Sequence, residues 1–142
     1  MFGSRERKQE PTVAGWRVLS SPDQLLALDA ASNERPQLIF KHSVRCSISH
    51  VAYARLQACS ADLLERMDLH YLDLIAHREL SNAIATSYQV YHQSPQAILI
   101  YRGEAVLDQS HYEVQAQELM EQAAQAQAQG SSGLDSSRPG RS

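Results

Sequence analysis

The sequence predicts a single α/β domain with a mixed sheet and helices on both faces. Short apolar runs typical of buried strands alternate with longer segments in which apolar residues recur every three or four positions, as they do in helices. Strands separated by helices need crossover connections and become parallel, whereas the last two strand segments are joined by a tight turn and must be antiparallel. We expect four to five strands in this chain of 142 residues, which is long enough for one domain with a hydrophobic core.

The predicted domain covers residues 15–129. Residues 1–14 are polar and charged, and residues 130–142 are rich in Gly, Ser, Pro and Arg. Neither segment can bury enough apolar surface to offset the entropy lost on ordering. We therefore expect a disordered tail at each end.

The first three elements are a strand, a helix and a buried strand. Residues 16–19 are a short strand candidate. Ser21 precedes a proline and is followed three positions later by Gln24, which is the capping-box pattern of a helix start. This helix should end near Ala31. Residues 38–40 (LIF) form a compact apolar run and indicate a central strand.

A second helix is expected from about Cys46, followed by a strand at residues 69–75. The apolar residues of this helix recur at spacings of four, four, three and four, namely Ile48, Ala52, Leu56, Cys59 and Leu63. A third helix begins near Arg78, as its apolar positions Leu80, Ile84 and Tyr88 indicate.

The chain then closes with a hairpin and a last helix. Residues 97–101 (AILIY) are the strongest strand signal, and the turn Arg102-Gly103-Glu104 leads into a partner strand at 105–107. The last helix is expected from about Tyr112 to Gln129, where the composition is rich in Ala and Gln.

Composition and charge narrow the classes of function. The chain has 13 Lys+Arg against 16 Asp+Glu and a net charge of −3, which disfavours nucleic acid as a partner. No apolar stretch approaches the ~18 residues of a membrane-spanning helix. The charged N-terminus has no apolar segment behind it, as a secretory signal would. We therefore expect a cytoplasmic protein without nucleic-acid or membrane partners, whose thiols are reduced.

Cys46 is the candidate nucleophile because it stands where a buried strand joins a helix N-terminus. The first amides of a helix are unpaired and its dipole is positive there, so the thiolate is favoured over the thiol. Lys41, His42 and Arg45 fall in the same segment and are expected to add positive potential. A buried or unreactive loop cysteine is the alternative interpretation.

The segment from Cys46 to Ser49 has the form C-x-x-S. In a dithiol motif the second cysteine would resolve a mixed disulfide, and Ser49 cannot do so. Cys59 is no substitute, because on one helix it lies about 20 Å away and the Cα atoms of a disulfide lie within about 7 Å. Its place on the apolar stripe indicates a core residue. Any redox chemistry here therefore uses one thiol.

Ser94-Pro95 immediately before a strand is the second feature. Proline is tolerated at the first residue of a strand on backbone grounds alone, so by itself the pair carries no function. Combined with Cys46 it gains weight, because a strand-start proline that faces a helix-start cysteine is the arrangement of thioredoxin-like thiol sites.

Three segments together resemble the monothiol bacilliredoxin family, redox proteins of thioredoxin fold that act in the bacillithiol system. They are KHSVRCSIS at 41–49, RELSNAIA at 78–85 and HQSPQAILIYRGE at 92–104. The resemblance extends from about Trp16 to Tyr112, and the segments keep the family's order and spacing. At position 47, where we expect proline in many members, this chain has serine, and its Gln/Ala-rich C-terminus is atypical.

The resemblance implies a thioredoxin-like thiol–disulfide oxidoreductase that removes bacillithiol from S-bacillithiolated client proteins. Cys46 would attack the mixed disulfide and take up the bacillithiol, and a second thiol would regenerate it. Bacillithiol is thus a co-substrate, and no bound cofactor is expected. The N–H groups of Ser47, Ile48 and Ser49 would stabilise the thiolate, with a further bond from the Ser49 hydroxyl. Ser94, before a cis Pro95, would pair with the cysteinyl part of the substrate.

Other interpretations remain open at this point. A non-catalytic binding module could keep the fold and use the cysteine surface to hold a partner, and a monothiol enzyme could use another low-molecular-weight thiol. His42, Cys46 and His50 are spaced four and four, which invites a metal-site interpretation, but no fourth ligand is evident and we expect no metal. His111 has no role that the sequence supports.

Overall fold

The computed structural model describes residues 15–132, as five strands, five α-helices and one 3-10 turn. The tail predicted at 1–14, and residues 133–142 of the tail predicted at 130–142, lie outside the described residues. The strands are β1 (Trp16–Val18), β2 (Gln37–His42), β3 (Asp68–Asp73), β4 (Gln96–Tyr101) and β5 (Glu104–Ser110). The helices are α1 (Pro22–Ala31), α2 (Ser47–Ala58), α3 (Ser60–Leu64), α4 (Arg78–Tyr88) and α5 (Ala116–Ser132). The 3-10 turn spans His111–Glu113.

The five strands form one mixed sheet in the order β1-β3-β2-β4-β5. β1, β3 and β2 are parallel, while β4 is antiparallel to β2 and pairs with β5 as a hairpin. The predicted mixed α/β sheet is confirmed. The parallel arrangement follows because a helix separates β1, β2 and β3 along the chain, and each crossover returns the next strand in the same direction.

The central strand β2 is buried along its whole length, and its side chains alternate between two cores. Leu38 and Phe40 face one side, where they pack with residues of α2 and α5. Ile39 faces the other, among residues of α1 and α4. Helices therefore cover both faces, as predicted, and the strand that leads to Cys46 is fixed from both sides.

All the connections that matter for the site lie at one edge of the sheet, which we call the loop edge. It comprises the segments that follow β1, β2, β3 and β5 together with the segment before β4. The register places Lys41 of β2 opposite Gln96, the first residue of β4, and Gln96 opposite Ser110, the last residue of β5. The segment after β2 therefore adjoins both the Ser94-Pro95 segment and the 3-10 turn.

Local signals in the sequence identify the start of α1 correctly but not every boundary. Ser21 caps α1 and forms the expected capping box with Gln24. The predicted second helix, by contrast, is interrupted at Cys59, which ends α2 and precedes the separate helix α3. The last helix starts at Ala116 rather than near Tyr112. It continues to Ser132, so residues 130–132, which we assigned to the tail, are helical.

Buried His70 makes the stability of the fold sensitive to acid. Its Nε2 lies 2.7 Å from Gln37 Oε1, and burial, aided by the charge of Arg17, lowers the pKa of His70 from 6.5 to about 4. Between these pH values the unfolded chain binds a proton that the folded chain does not, so the free energy of unfolding falls as the pH falls from about 6.5 to about 4.

Replacing His70 should flatten this dependence. The slope of the unfolding free energy against pH is proportional to the number of protons taken up on unfolding. In His70→Gln up to one such proton is lost, so the slope should decrease by up to about 1.4 kcal/mol per pH unit. Urea unfolding at several pH values between 5 and 7 measures both slopes. Equal slopes for the wild type and the variant would show that His70 is not the acid-sensitive group.

Candidate active site

Cys46 is the N-cap residue of α2, four residues after the end of β2. Its backbone is extended (φ −116°, ψ 121°), its N–H donates to the Ser43 carbonyl (3.1 Å), and its carbonyl accepts from the His50 N–H (3.2 Å). The residue is half-buried. The helix begins at Ser47, so the predicted junction between a buried strand and a helix N-terminus is confirmed.

The first three amides of α2 are free to interact with the sulfur of Cys46 or its substrate. The N–H groups of Ser47, Ile48 and Ser49 have no hydrogen-bond partner within the described residues, and the Cys46 side chain caps none of them. Unpaired amides at the positive end of a helix dipole favour an anion. The stabilisation of a Cys46 thiolate by these amides is compatible with this arrangement and stays a prediction.

The Ser49 hydroxyl holds the cysteine loop in place instead of facing the sulfur. Its Oγ is buried, accepts from the Ser43 N–H (3.0 Å) and is hydrogen-bonded to His42 Nδ1 (2.7 Å). It makes no hydrogen bond to Cys46 within residues 15–132. The predicted contact of this hydroxyl with the thiolate is thus not formed in the structure, where Ser43 and His42 are its partners. Ser49 fixes the two ends of the loop that carries Cys46.

His42 is an uncharged support rather than a source of positive potential, so that expectation is wrong. Burial, with a smaller contribution from the charge of His50, lowers the pKa of His42 from 6.5 to about 4, although Asp73 opposes the shift. At neutral pH its ring is therefore neutral. It stacks on Phe40 (5.9 Å between ring centroids) and meets His50 edge-on (4.8 Å).

Lys41 lies on the opposite face of the sheet from His42, which corrects its predicted place beside the thiolate. It belongs to β2 and is fully buried, and its Nζ bonds to the Ser81 carbonyl of α4 and to His92 Nδ1, both at 3.2 Å. The physical reason is the alternation of side chains along a strand, which sends Lys41 and His42 in opposite directions. Arg45, in the exposed turn before Cys46, is the cation that remains in the loop.

The Ser94-Pro95 segment lies at the loop edge next to the end of β2. The bond between the two residues is cis, as the resemblance implies, and Pro95 is buried. The Pro95 carbonyl accepts from the His111 N–H (3.0 Å), so the 3-10 turn is tied to this segment. The Ser94 hydroxyl is buried without a hydrogen-bond partner in the described part of the chain. Substrate contact by this segment stays a prediction.

Two supporting contacts were missed from the sequence. His50 Nε2 is hydrogen-bonded to the Val44 carbonyl (2.9 Å), which braces the cysteine loop against the first turn of α2. Arg55 donates from the same helix to the Tyr112 carbonyl (3.2 Å) and so fixes the 3-10 turn beside α2. Because side chains alternate along a strand, the sequence of residues 40–42 was enough to predict that Lys41 and His42 lie on opposite faces of β2. Nothing in the sequence indicated the contacts of His50 and Arg55.

Cys59 lies at the other end of α2 from Cys46 and packs against the core. Both cysteines are free. Among residues 15–132 no three His, Cys, Asp or Glu side chains are grouped to hold a metal ion. No helix in the described range is both long enough and apolar enough to cross a membrane.

Comparison with known proteins places the chain in a family. The family model described as monothiol bacilliredoxin BrxC matches residues 17–119. A solved structure described as an oxidoreductase with a thioredoxin fold is 31% identical, with a TM-score of 0.65, and the match covers 80% of this chain and 94% of the other.

Thioredoxins from other organisms share the fold at much lower identity. The Fasciola hepatica thioredoxin is 19% identical, with a TM-score of 0.60 and coverage of 77% of this chain and 97% of the other. The Malassezia sympodialis thioredoxin is 12% identical, with a TM-score of 0.62 and coverage of 82% and 94%. The predicted thioredoxin fold is confirmed. The family match and the 31% identical oxidoreductase structure support a redox role. The chain belongs to the monothiol bacilliredoxin BrxC family.

Proposed function

We propose that this protein removes bacillithiol from S-bacillithiolated client proteins by monothiol exchange at Cys46. The observation that carries the proposal is the pairing of Cys46, at the uncapped start of α2, with a buried, hydrogen-bonded Ser49 at the position where a dithiol enzyme has its second cysteine. A site with one thiol can transfer a small thiol between sulfurs but cannot close an internal disulfide.

The reaction proceeds in two successive thiol–disulfide exchanges. The Cys46 thiolate attacks the bacillithiol sulfur of the mixed disulfide, the old S–S bond breaks, and the client leaves as a thiolate that takes up a proton. Cys46 now carries bacillithiol. A second low-molecular-weight thiol, bacillithiol itself in this proposal, loses its proton and attacks that adduct, which frees the Cys46 thiolate and forms the oxidised disulfide of the carrier. The net reaction converts the client mixed disulfide and one free bacillithiol into the client thiol and the bacillithiol disulfide. The two electrons come from the two bacillithiol sulfurs that become joined, and Cys46 returns unchanged.

Other residues of the loop edge have supporting roles in this proposal. The amides of Ser47, Ile48 and Ser49 stabilise the Cys46 thiolate before attack and after release. The Ser94 backbone pairs with the cysteinyl part of the substrate, in the manner of strand addition. We place the reaction in the cytoplasm, where carrier thiols are kept reduced.

A single-turnover reaction with a bacillithiolated client tests this function. Reduced protein is mixed with an equimolar amount of a client that bears bacillithiol on one cysteine, and peptide mass mapping follows both partners. We expect the client to be reduced while Cys46 gains one bacillithiol, in a one-to-one ratio. A client that keeps its adduct in the presence of reduced protein would contradict the proposal.

A non-catalytic binding module is the competing function, and the reactivity of the thiol separates the two. If Cys46 is held as a thiolate, iodoacetamide should alkylate it at pH 7.0 about tenfold faster than free cysteine. A binding module predicts a rate at or below that of free cysteine. The same transfer assay with glutathionylated client shows whether another carrier thiol serves equally well.

A further inference from the structure

Two cationic side chains, Lys41 and Arg78, and the imidazole of His92 form a cluster at the loop edge on the α4 face of the sheet, where both Lys41 and His92 contact Ser81, one helical turn after Arg78. The exchange chemistry of Cys46 uses none of these side chains. Lys41 is fully buried, and within residues 15–132 its ammonium group has no carboxylate partner, only the Ser81 carbonyl and His92 Nδ1. A buried lysine without a carboxylate is rare in proteins. The cluster therefore needs an explanation that packing does not supply.

Lys41 determines which ring nitrogen of His92 carries the proton. A protonated lysine is a donor only, so His92 Nδ1 must accept and the ring proton resides on Nε2. Burial, followed by the charges of Lys41 and Arg78, lowers the pKa of His92, which keeps the ring neutral. His92 is half-buried, and its Nε2 has no hydrogen-bond partner within the described residues. Its Nε2–H is the donor left for a ligand.

Arg78 connects this pair to a groove. It is the first residue of α4, is exposed, and has no ion pair in the described part of the chain. Arg78 lines a groove of about 630 Å³ together with apolar residues such as Ile75 and Leu80 and one acidic residue, Glu79. A volume of this size lies within the range of small-molecule sites.

The groove and the cluster share an edge of the sheet with Cys46. The Leu74 N–H donates to the His42 carbonyl (2.9 Å), which joins the segment after β3 to the strand that ends four residues before Cys46. β3 is the neighbour of β2 in the sheet, so the segment after β3 lies one strand over from the end of β2, and a ligand on Cys46 reaches the α4 face in this proposal by extending past the loop edge. His92 lies two residues before Ser94, in the other predicted substrate segment.

We propose that Arg78 and His92 bind the carboxylate of the low-molecular-weight thiol whose sulfur is transferred to Cys46. The guanidinium group and the Nε2–H donate charge-assisted hydrogen bonds to the carboxylate. Lys41 is a positioning residue that acts through His92, whose tautomer it fixes. This inference rests on the proposed function and names the part of the substrate that the enzyme recognises.

The charge preference of the exchange tests the site with simple disulfides. The rate of reaction of Cys46 is measured in the full chain with anionic 3,3′-dithiodipropionate and with neutral bis(2-hydroxyethyl) disulfide. The quantity compared is the rate with the anionic disulfide divided by the rate with the neutral one. Loss of one charge-assisted hydrogen bond should lower this ratio about tenfold in Arg78→Gln and in His92→Ala. The neutral disulfide is the reference probe, because it carries no carboxylate for either side chain to bind, and dividing by its rate removes any general effect of a substitution on Cys46.

Arg66→Gln is the matched control, since Arg66 is also exposed and precedes β3 at the opposite edge of the sheet. It removes the same charge and should leave the ratio unchanged. An unchanged ratio in Arg78→Gln and His92→Ala, or an equal fall in Arg66→Gln, would overturn the proposal. Imidazole ¹⁵N shifts should show the Nε2–H tautomer of His92 at pH 7, and the Nδ1–H tautomer would overturn the role of Lys41.

The two proposals can fail separately. If the anionic disulfide is preferred through Arg78 but no bacillithiolated client is reduced, the carboxylate site stands and the proposed function is wrong. If the client is reduced without any charge preference, the function stands and the carboxylate site is wrong.

Discussion

A Cys46→Ser variant loses thiol–disulfide exchange altogether, and a Cys59→Ala variant keeps it. Serine cannot form a disulfide with the carrier thiol, so no transfer intermediate exists in the first variant. Cys59 lies at the far end of α2 and packs against the core, away from the loop edge. Its truncation removes one sulfur atom from a half-buried position and should reduce the free energy of unfolding by about 1 kcal/mol.

Rates of client reduction by the two variants and the wild type, measured at equal concentration, check this result. Circular dichroism confirms that both variants are folded. Residual exchange in Cys46→Ser would show that another thiol carries the chemistry, and loss of exchange in folded Cys59→Ala would identify that thiol.

A Ser49→Ala variant is less stable than the wild type and exchanges more slowly. Removal of the buried hydroxyl leaves the Ser43 N–H and the Nδ1 atom of buried His42 without their partner. A buried group left unpaired costs about 1–3 kcal/mol, so we expect a loss of about 2 kcal/mol in the free energy of unfolding. Because Ser49 holds the loop before Cys46, the exchange rate should fall about tenfold.

A conservative variant shows whether Ser49→Ala slows exchange by displacing the Cys46 loop or only by destabilising the fold. Ser49→Thr keeps the oxygen atom and should recover most of the exchange rate. Ser87→Ala, which removes an exposed hydroxyl on α4, should match the wild type in both measurements. The prediction fails if Ser49→Ala has the wild-type rate and unfolding free energy, or if Ser49→Thr is as slow as Ser49→Ala.

The elements that the sequence predicted well are those determined by neighbouring residues. Ser21 and Gln24 are three positions apart, so their capping box depends on local backbone geometry alone. The order of strands and helices likewise follows from apolar periodicity. Cys46 was identified for the same reason, because a strand end followed by a helix start is visible in one short segment.

Boundaries set by tertiary contacts could not be predicted in this way. The apolar stripe runs without a break from α2 into α3, yet the chain turns at Cys59, where the backbone leaves the helical region (φ −110°, ψ 16°). Residues near Tyr112 form a 3-10 turn because the Pro95 carbonyl and Arg55 hold that segment. Both partners are distant in the sequence.

In the candidate site too, features set by neighbouring residues were predicted and features set by tertiary contacts were not. The lone thiol of the C-x-x-S motif follows from the sequence, but the engagement of Ser49 by His42 depends on how the loop folds back on α2. The prediction that Lys41 lies beside the thiolate took account of its charge but not of the direction of its side chain in β2. Alternation along β2 separates it from His42, and burial, not sequence, determines that the His42 ring is neutral.

Intact mass spectrometry of the protein isolated from its own cells, with thiols trapped during lysis, tests the central claim most directly. Our account predicts a population that carries one bacillithiol, mapped to Cys46, with Cys59 unmodified. A disulfide between Cys46 and Cys59, or a carrier adduct confined to Cys59, would contradict it.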